Sequence, residues 1–311
     1  MPLLRLPLDT IIGNLNAINS ALQLMVVNPA QAQQATSALQ VQVANLKNNA
    51  LRLPKPFSDM MLQAAGAFEG DVANTTYAQL AQAFNNQVYP PCRDLASGRY
   101  PLVKSETKEV PLADFGRLFG PNGYFDRFFN QNLATYADTS KRDWTWRQDN
   151  PVARLMSPEA LRQFQRASQI RDAFFATGGN LPGFALSVTP PTLPVAGLVA
   201  KLEIGGAAAT SSNLPNPPPA AMQWPGAGGR TAVSLAPDPP TPGAQPSEIV
   251  KSGQWALFRL LDSASVSPRA NGLTANFIVG GRDVQFQIGS GSVYNPLLLP
   301  ALREFKCPTA L

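Results

Sequence analysis

The chain has 311 residues, of which 44% are apolar and only 14% charged, with a net charge of +5 and no histidine. That length allows one large core or two smaller ones, and a charged fraction well below the usual ~25% suits contact between uncharged protein surfaces better than phosphate neutralisation on a nucleic acid. The lack of histidine excludes Ser-His-Asp and Cys-His nucleophile systems and His-containing zinc sites, and two cysteines are too few for a structural zinc centre.

Through residue 180 the pattern is helical. Asp9 caps a predicted helix in which Ile11, Leu15, Ile18, Leu22 and Met25 recur at helical spacing, with Asn and Gln on the other side. Asn28-Pro29 ends it and opens a second helix with an apolar face of Leu39, Val43 and Leu46, which Pro54 and Pro56 stop. A third helix is predicted from Ser58 through Met61, Leu62, Ala65 and Phe68. A fourth is predicted from Thr75 or Thr76 through Leu80, Phe84 and Val88 to Pro90-Pro91. An aromatic block follows. Leu112, Phe115, Leu118 and Phe119 fit a short helix, Pro121-Asn122-Gly123 a turn, and Tyr124, Phe125, Phe128, Phe129 and Leu133 a second apolar face. These rings are expected to pack as core. Trp144 and Trp146 alternate as in an extended segment. Ser157-Pro158-Glu159 starts a helix that passes Leu161, Phe164 and Ile170, reaches Phe174 and Phe175, and ends at Gly178-Gly179. The basic residues gathered in 141–171 have Asp143, Asp149 and Glu159 among them, and read as a solvated helical face.

After Gly179 the period changes. Segments 184–188 and 198–204 read as strands. Residues 205–247 carry ten prolines and two charges, Arg230 and Asp238, so loops with at most short edge strands are expected. The apolar run 255–261, broken only by Arg259, fits a helix or a buried strand equally. Leu273, Ala275, Phe277 and Val279, then Gly280-Gly281, then Val284, Phe286 and Ile288 alternating with Gln285 and Gln287, form a hairpin with one wet face. The tail, with Pro300, Phe305 and Cys307, is expected to dock as an extended segment. The fold class is therefore α+β: a helical domain over 1–180, then a β-rich, sandwich-like domain over 181–311 with proline-rich loops.

Cys92 and Cys307 are either two unrelated buried thiols or one disulfide joining the middle of the chain to its tail. No signal-peptide pattern follows Met1. Neither uncharged stretch spans a membrane: Asn and Gln interrupt 10–46, and Pro182, Pro190, Pro191 and Pro194 interrupt 173–200. Such a chain is expected to be cytoplasmic or an excised piece of something larger.

One set of residues is specific. The segment 114–140, DFGRLFGPNGYFDRFFNQNLATYADTS, resembles the C-terminal region of the IcmF/TssM family, the inner-membrane core subunits of type VI secretion systems. Further matches follow in the family's order: Trp144-Thr145-Trp146-Arg147, Ile170-Arg171-Asp172-Ala173-Phe174-Phe175, Trp224-Pro225-Gly226, then Gly253 with the run from Trp255 to Asp262, and Phe305-Lys306-Cys307-Pro308. The resemblance covers about 92–311. It implies the end of a periplasmic portion, with a helical domain before a β-rich one. Its implied partners are a small outer-membrane lipoprotein (TssJ-like), other membrane-core subunits and further copies of the protein itself. No cofactor, no metal, no catalytic residue and no nucleic-acid partner is expected. An oxidising periplasm moves the cysteines toward the Cys92–Cys307 disulfide.

The resemblance makes the chain a structural and interaction module. Partner contact is expected on the charge-poor loops, at Asn213, Leu214, Trp224 and Pro225, with Trp224 either an anchor or packed beneath the β-domain. The other class considered is a peptidoglycan-binding or peptidoglycan-hydrolysing envelope domain. A hydrolase needs two carboxylates about 5–10 Å apart. Asp114 and Asp126 are the pair to suspect for that chemistry, against helix capping or surface ion pairing for the same two residues.

Overall fold

In a computed structural model of the chain, residues 5–27, 32–193, 197–211, 217–243, 245–292 and 294–311 are described. They divide into two compact units: Met1–Phe84 with Ala134–Pro158 and Ala310–Leu311, and Asn85–Leu133 with Glu159–Thr309. Among the described residues no helix is long and apolar enough to cross a membrane.

In the first unit α1 (Arg5–Val27) packs on α2 (Ala32–Ala50). The predicted stripes meet there: Ile11 and Ile18 are buried with Leu39, Val43 and Leu46, and Leu15 and Leu22 pack against them. Asn14 sits between the two helices, donating to Gln42 at 3.0 Å and accepting from Asn49 at 2.9 Å. α3 (Phe57–Gln87) adds Ala65 and Val72 to this core. It is one helix where two were expected. The Thr76 hydroxyl donates to the Val72 carbonyl at 2.8 Å, one turn back, so it is satisfied within a continuous helix and caps nothing. The strands β1 (Ala137–Asp138) and β2 (Thr145–Trp146) pair antiparallel, and the buried Trp146 donates from Nε1 to the Ser157 carbonyl at 2.9 Å. The chain end docks in the same unit, where Tyr77 donates to the Leu311 carbonyl at 3.1 Å.

The second unit begins with the helices α4 (Tyr89–Ala96), α5 (Leu112–Phe119) and α6 (Tyr124–Phe128), and α7 (Pro158–Phe174) joins them. It continues in nine strands, all antiparallel: β3 (Phe184–Thr189), β4 (Leu198–Ile204), β5 (Ala207–Thr210), β6 (Ala220–Trp224), β7 (Arg230–Pro237), β8 (Ser247–Ser252), β9 (Ser265–Arg269), β10 (Gly272–Val279) and β11 (Arg282–Ser290). They form a five-stranded sheet, β6-β3-β11-β10-β9, and a four-stranded sheet, β5-β4-β7-β8. The sheets meet through β10 with β7 and β8, and through β6 with β4 and β5. Alternation places Leu186, Val188, Phe277 and Phe286 inside with Leu202, Ile204 and Val233, and leaves Gln285 and Gln287 wet.

The proline-rich stretch departs from expectation. β5 and β6 are edge strands, but β7 is eight residues long and lies between β4 and β8. The prolines fall at 215–219, at 225 and at 237–246, which leaves 230–236 free to donate to both neighbours. The 255–261 run resolves as a short helix, α8 (Ala256–Leu261), and the tail contains a further turn of helix, α9 (Pro300–Glu304).

A continuous aromatic core joins the helices of this unit to its sandwich. Phe119 and Phe125 both meet Phe305 edge-on, at 4.8 and 5.2 Å. Phe115 contacts Phe174 at 5.3 Å and Trp255 at 5.0 Å, and Phe174 reaches Phe184, Trp224 and Phe258. The expected boundary at 180 marks the change from helix to strand. The compact units follow other lines, because α4–α7 share this core with the strands.

Candidate interaction site

Three connections converge at one end of the sandwich: the β4–β5 turn, the β6–β7 link and the link from β8 to α8. They enclose a groove of about 280 Å³ whose walls include Leu112, Gly205, Pro225, Gly226, Arg230 and Gln254. Two glycine turns meet in its wall. Gly205 has φ +56°, and a Cβ there would lie 2.2 Å from the Gly226 Cα, so only glycine lets the two turns approach.

A strap of chain preceding α5 holds this end in place. Glu109 accepts from the Gln254 amide at 3.0 Å and from Arg259 Nε at 2.8 Å. Arg259 also donates to the carbonyls of Glu106 and Thr107, at 3.2 and 2.9 Å, and its guanidinium lies 3.9 Å from the centre of the Tyr100 ring. The Leu112 amide donates to Gln254 Oε1 at 2.8 Å, and Trp255 Nε1 donates to the Val110 carbonyl at 2.7 Å. At the rim Arg230 bridges Glu203 and Glu248, at 3.1 and 3.2 Å. The Lys201 hydrogen bond, working against a smaller desolvation penalty, holds the Glu203 carboxyl below its ordinary value.

Behind the strap the buried Tyr100 donates to Asp262 at 2.8 Å. Arg303 pairs with the same carboxylate at 3.0 Å and bonds the Pro101 carbonyl. Burial pushes the Tyr100 phenol well above its ordinary 10.0, outweighing the Arg303 hydrogen bond that favours the phenolate. A raised folded-state pKa stabilises fully below the unfolded value and is lost as pH rises past it. Stability should therefore fall from about pH 10 upward. The Tyr100→Phe variant should show a flatter decline over that range in urea denaturation series, and equal slopes for the two proteins would refute this origin.

The predicted contact residues are distributed unevenly. Trp224 is only 2% exposed, with ring centroids of Phe184 and Trp255 both at 5.0 Å, so it supports the groove from the core; Pro225 is exposed at the groove. Asn213 and Leu214 lie outside the described residues. Cys92 and Cys307 form a disulfide with Cα atoms 5.8 Å apart. Asp114 pairs with Arg117 at 3.3 Å. Asp126 accepts from the Asn122 amide at 2.9 Å and from Asn130 at 3.1 Å, and pairs with Arg171. Both suspected carboxylates are thus engaged by structural partners. Among the described residues no cluster of three or more acidic or cysteine side chains could hold a metal.

Residues 186–292 match the family model of the type VI secretion protein IcmF C2-like domain. In an alignment 315 positions long that takes in 98% of this chain, it is 30% identical to the type VI secretion system component TssM1 of Pseudomonas aeruginosa. The chain belongs to the IcmF/TssM family. It spans 28% of the length of that TssM1 relative. Solved structures share the fold of this IcmF/TssM chain. A TssM C-terminal domain from EAEC aligns with TM-score 0.64 and 21% identity, over 76% of this chain and 99% of that one. A chain of a type VI membrane complex aligns with TM-score 0.72 and 21% identity, over 97% of this chain and 62% of that one. A chain of a type VI secretion system membrane core complex aligns with TM-score 0.69 and 22% identity, over 92% and 62% respectively.

The C2-like stretch of this IcmF/TssM chain starts inside β3 and ends just after β11, so it takes in the whole groove except the Leu112 side. Sequence reasoning missed Glu109, Tyr100 and Asp262. The one available signal was Arg259, a lone charge inside the apolar run 255–261, which implies a buried partner somewhere in the chain.

Proposed function

We propose that this chain is a non-enzymatic structural and interaction module of a type VI secretion membrane complex, acting in the periplasm and seating the outer-membrane lipoprotein on the loops around Pro225. The observation that carries this reading is the 30% identity to TssM1 across nearly the whole chain. The groove supports the contact: its glycine backbone is fixed by the Glu109–Arg259 strap, so little conformational freedom is lost on binding. Asn213, Leu214 and Pro225 offer the contacts, and Trp224 acts from beneath by holding Pro225 and Gly226 in place. The engagement of Asp114 and Asp126 in a salt bridge and a turn cap supports docking over hydrolysis. Within the full assembly the remaining partners are other membrane-core subunits and further copies of the same protein.

Co-purification with the lipoprotein encoded beside it tests this reading. A stable complex of defined ratio is expected. The pair Leu214→Asp and Ala227→Asp should abolish it while leaving the thermal melt unchanged. Undiminished capture by this pair would remove the loops from the interface, and no capture by the unaltered chain would remove the partner.

A further inference from the structure

The most distinctive sequence motif, 114–140, builds a second groove that shares no lining residue with the first. It is open, of about 630 Å³, and is lined in part by Gly116, Arg117, Tyr124, Arg127, Asn180 and Leu181. Its walls are fixed by the motif's glycines. A Cβ on Gly116 would lie 2.1 Å from the Asn180 carbonyl oxygen, and one on Gly123 would lie 2.8 Å from the Arg117 carbonyl oxygen. Asn122, at φ 58°, takes the left-handed turn between α5 and α6, and Asp126 caps that turn while Arg171 holds Asp126. The site is therefore formed before anything binds.

Its surface chemistry is uneven. Arg117 and Arg127 both lie over the Tyr124 ring, at 5.9 and 5.8 Å from its centre. Arg117 is neutralised by Asp114 and donates to the Tyr124 hydroxyl at 3.2 Å. Arg127 has no ion-pair partner among the described residues, whereas carboxylates pair with Arg117 on α5 and with Arg162, Arg166 and Arg171 on α7. Leu181, 61% exposed on the loop that follows α7, lines the same groove. A rigid concavity with one unneutralised guanidinium and one bare isobutyl group is complementary to a carboxylate next to an apolar side chain.

We infer that this groove docks an acidic, apolar-containing segment of a partner protein, with Arg127 meeting its carboxylate and Leu181 its apolar side chain. A second copy of the chain is the weaker fit, since the chain carries a net charge of +5. A glycan is also the weaker fit, because a sugar stacked on the Tyr124 ring would share it with two guanidinium groups and leave the Arg127 charge unneutralised.

Fluorescence anisotropy on the 311-residue chain tests this with labelled hexapeptides of alternating Glu and Leu, against otherwise identical Gln/Leu peptides. The Glu/Leu peptide should bind with an affinity that falls as salt rises, and the Gln/Leu peptide should not. Arg127→Glu should weaken binding about tenfold or more, as expected for a reversed charge at a contact. Leu181→Ser should weaken it without changing the salt dependence, and Arg269→Glu, on β9, should leave it unchanged. Circular dichroism melts would confirm that each variant is folded. Equal binding of the two peptides, no binding of either, or indifference to Arg127→Glu overturns the proposal. So does Arg127-dependent binding to purified peptidoglycan sacculi without peptide binding, which would make the ligand a cell-wall polymer.

Discussion

Reducing the Cys92–Cys307 bond, or replacing Cys307 by Ser, should lower the unfolding free energy by up to about 5 kcal/mol, because the bond closes a loop of 215 residues in the unfolded chain. The native side of the balance should change less. The tail has independent attachments: Phe305 sits edge-on against Phe119 and Phe125, the Lys306 amide donates to Gln163 at 2.8 Å, and Arg303 pairs with Asp262. The reduced protein should therefore keep its folded-state circular dichroism while its guanidinium midpoint drops sharply. Phe305→Ala, by contrast, removes native packing with the bond intact, and its effect should add to that of reduction only in part, since both changes act on the same short tail. An unchanged midpoint under dithiothreitol would show that the bond contributes nothing to this fold. The size of the expected loss bears on where such a chain can work: a compartment that keeps thiols reduced would forgo that stability.

What could be read from the sequence was whatever is local. The stripe Ile11, Leu15, Ile18, Leu22 and the alternation Val284, Phe286, Ile288 each repeat within one element, and the structure turns both sets inward, Ile11 and Ile18 fully buried with Leu15 and Leu22 half-buried against them. The turn at Gly280-Gly281, both at positive φ, was legible for the same reason. Errors arose where a distant or alternative partner decided the outcome. Thr76 had two uses for its hydroxyl, and the intrahelical one prevailed. The β7 segment looked like loop because prolines were counted over a window wider than the strand; its place between β4 and β8 comes from pairing with residues before and after it. The groove was half legible. Trp224-Pro225-Gly226 marked the right turn, but Glu109 reaches Arg259 across 150 residues, and no periodicity encodes a contact of that range. The two cysteines showed that a bond was available and left its formation to be decided by the compartment.

Trp224 is the residue for which the two original readings predict opposite experiments. An anchor would be exposed when free and buried on binding; this indole is already enclosed, within 6 Å of Phe174, Phe184, Trp255 and Phe258. Removing it leaves a cavity among rings that cannot collapse, since Trp255 is itself fixed by its 2.7 Å bond to the Val110 carbonyl. Trp224→Ala should thus cost about 3–5 kcal/mol, as measured for buried aromatic truncations elsewhere. Trp224→Phe retains most of the ring contacts and should cost markedly less. If Trp224 acts only through the fold, lipoprotein capture will track the folded fraction in both variants, and Trp224→Phe will bind almost normally at low temperature. An anchoring role would give the reverse: Trp224→Phe folded, with an intact melt, and unable to bind. Because the β6–β7 link is held by this ring from below, the first result would also mean that the shape of the Pro225 turn, more than any single side chain on it, is what a partner meets.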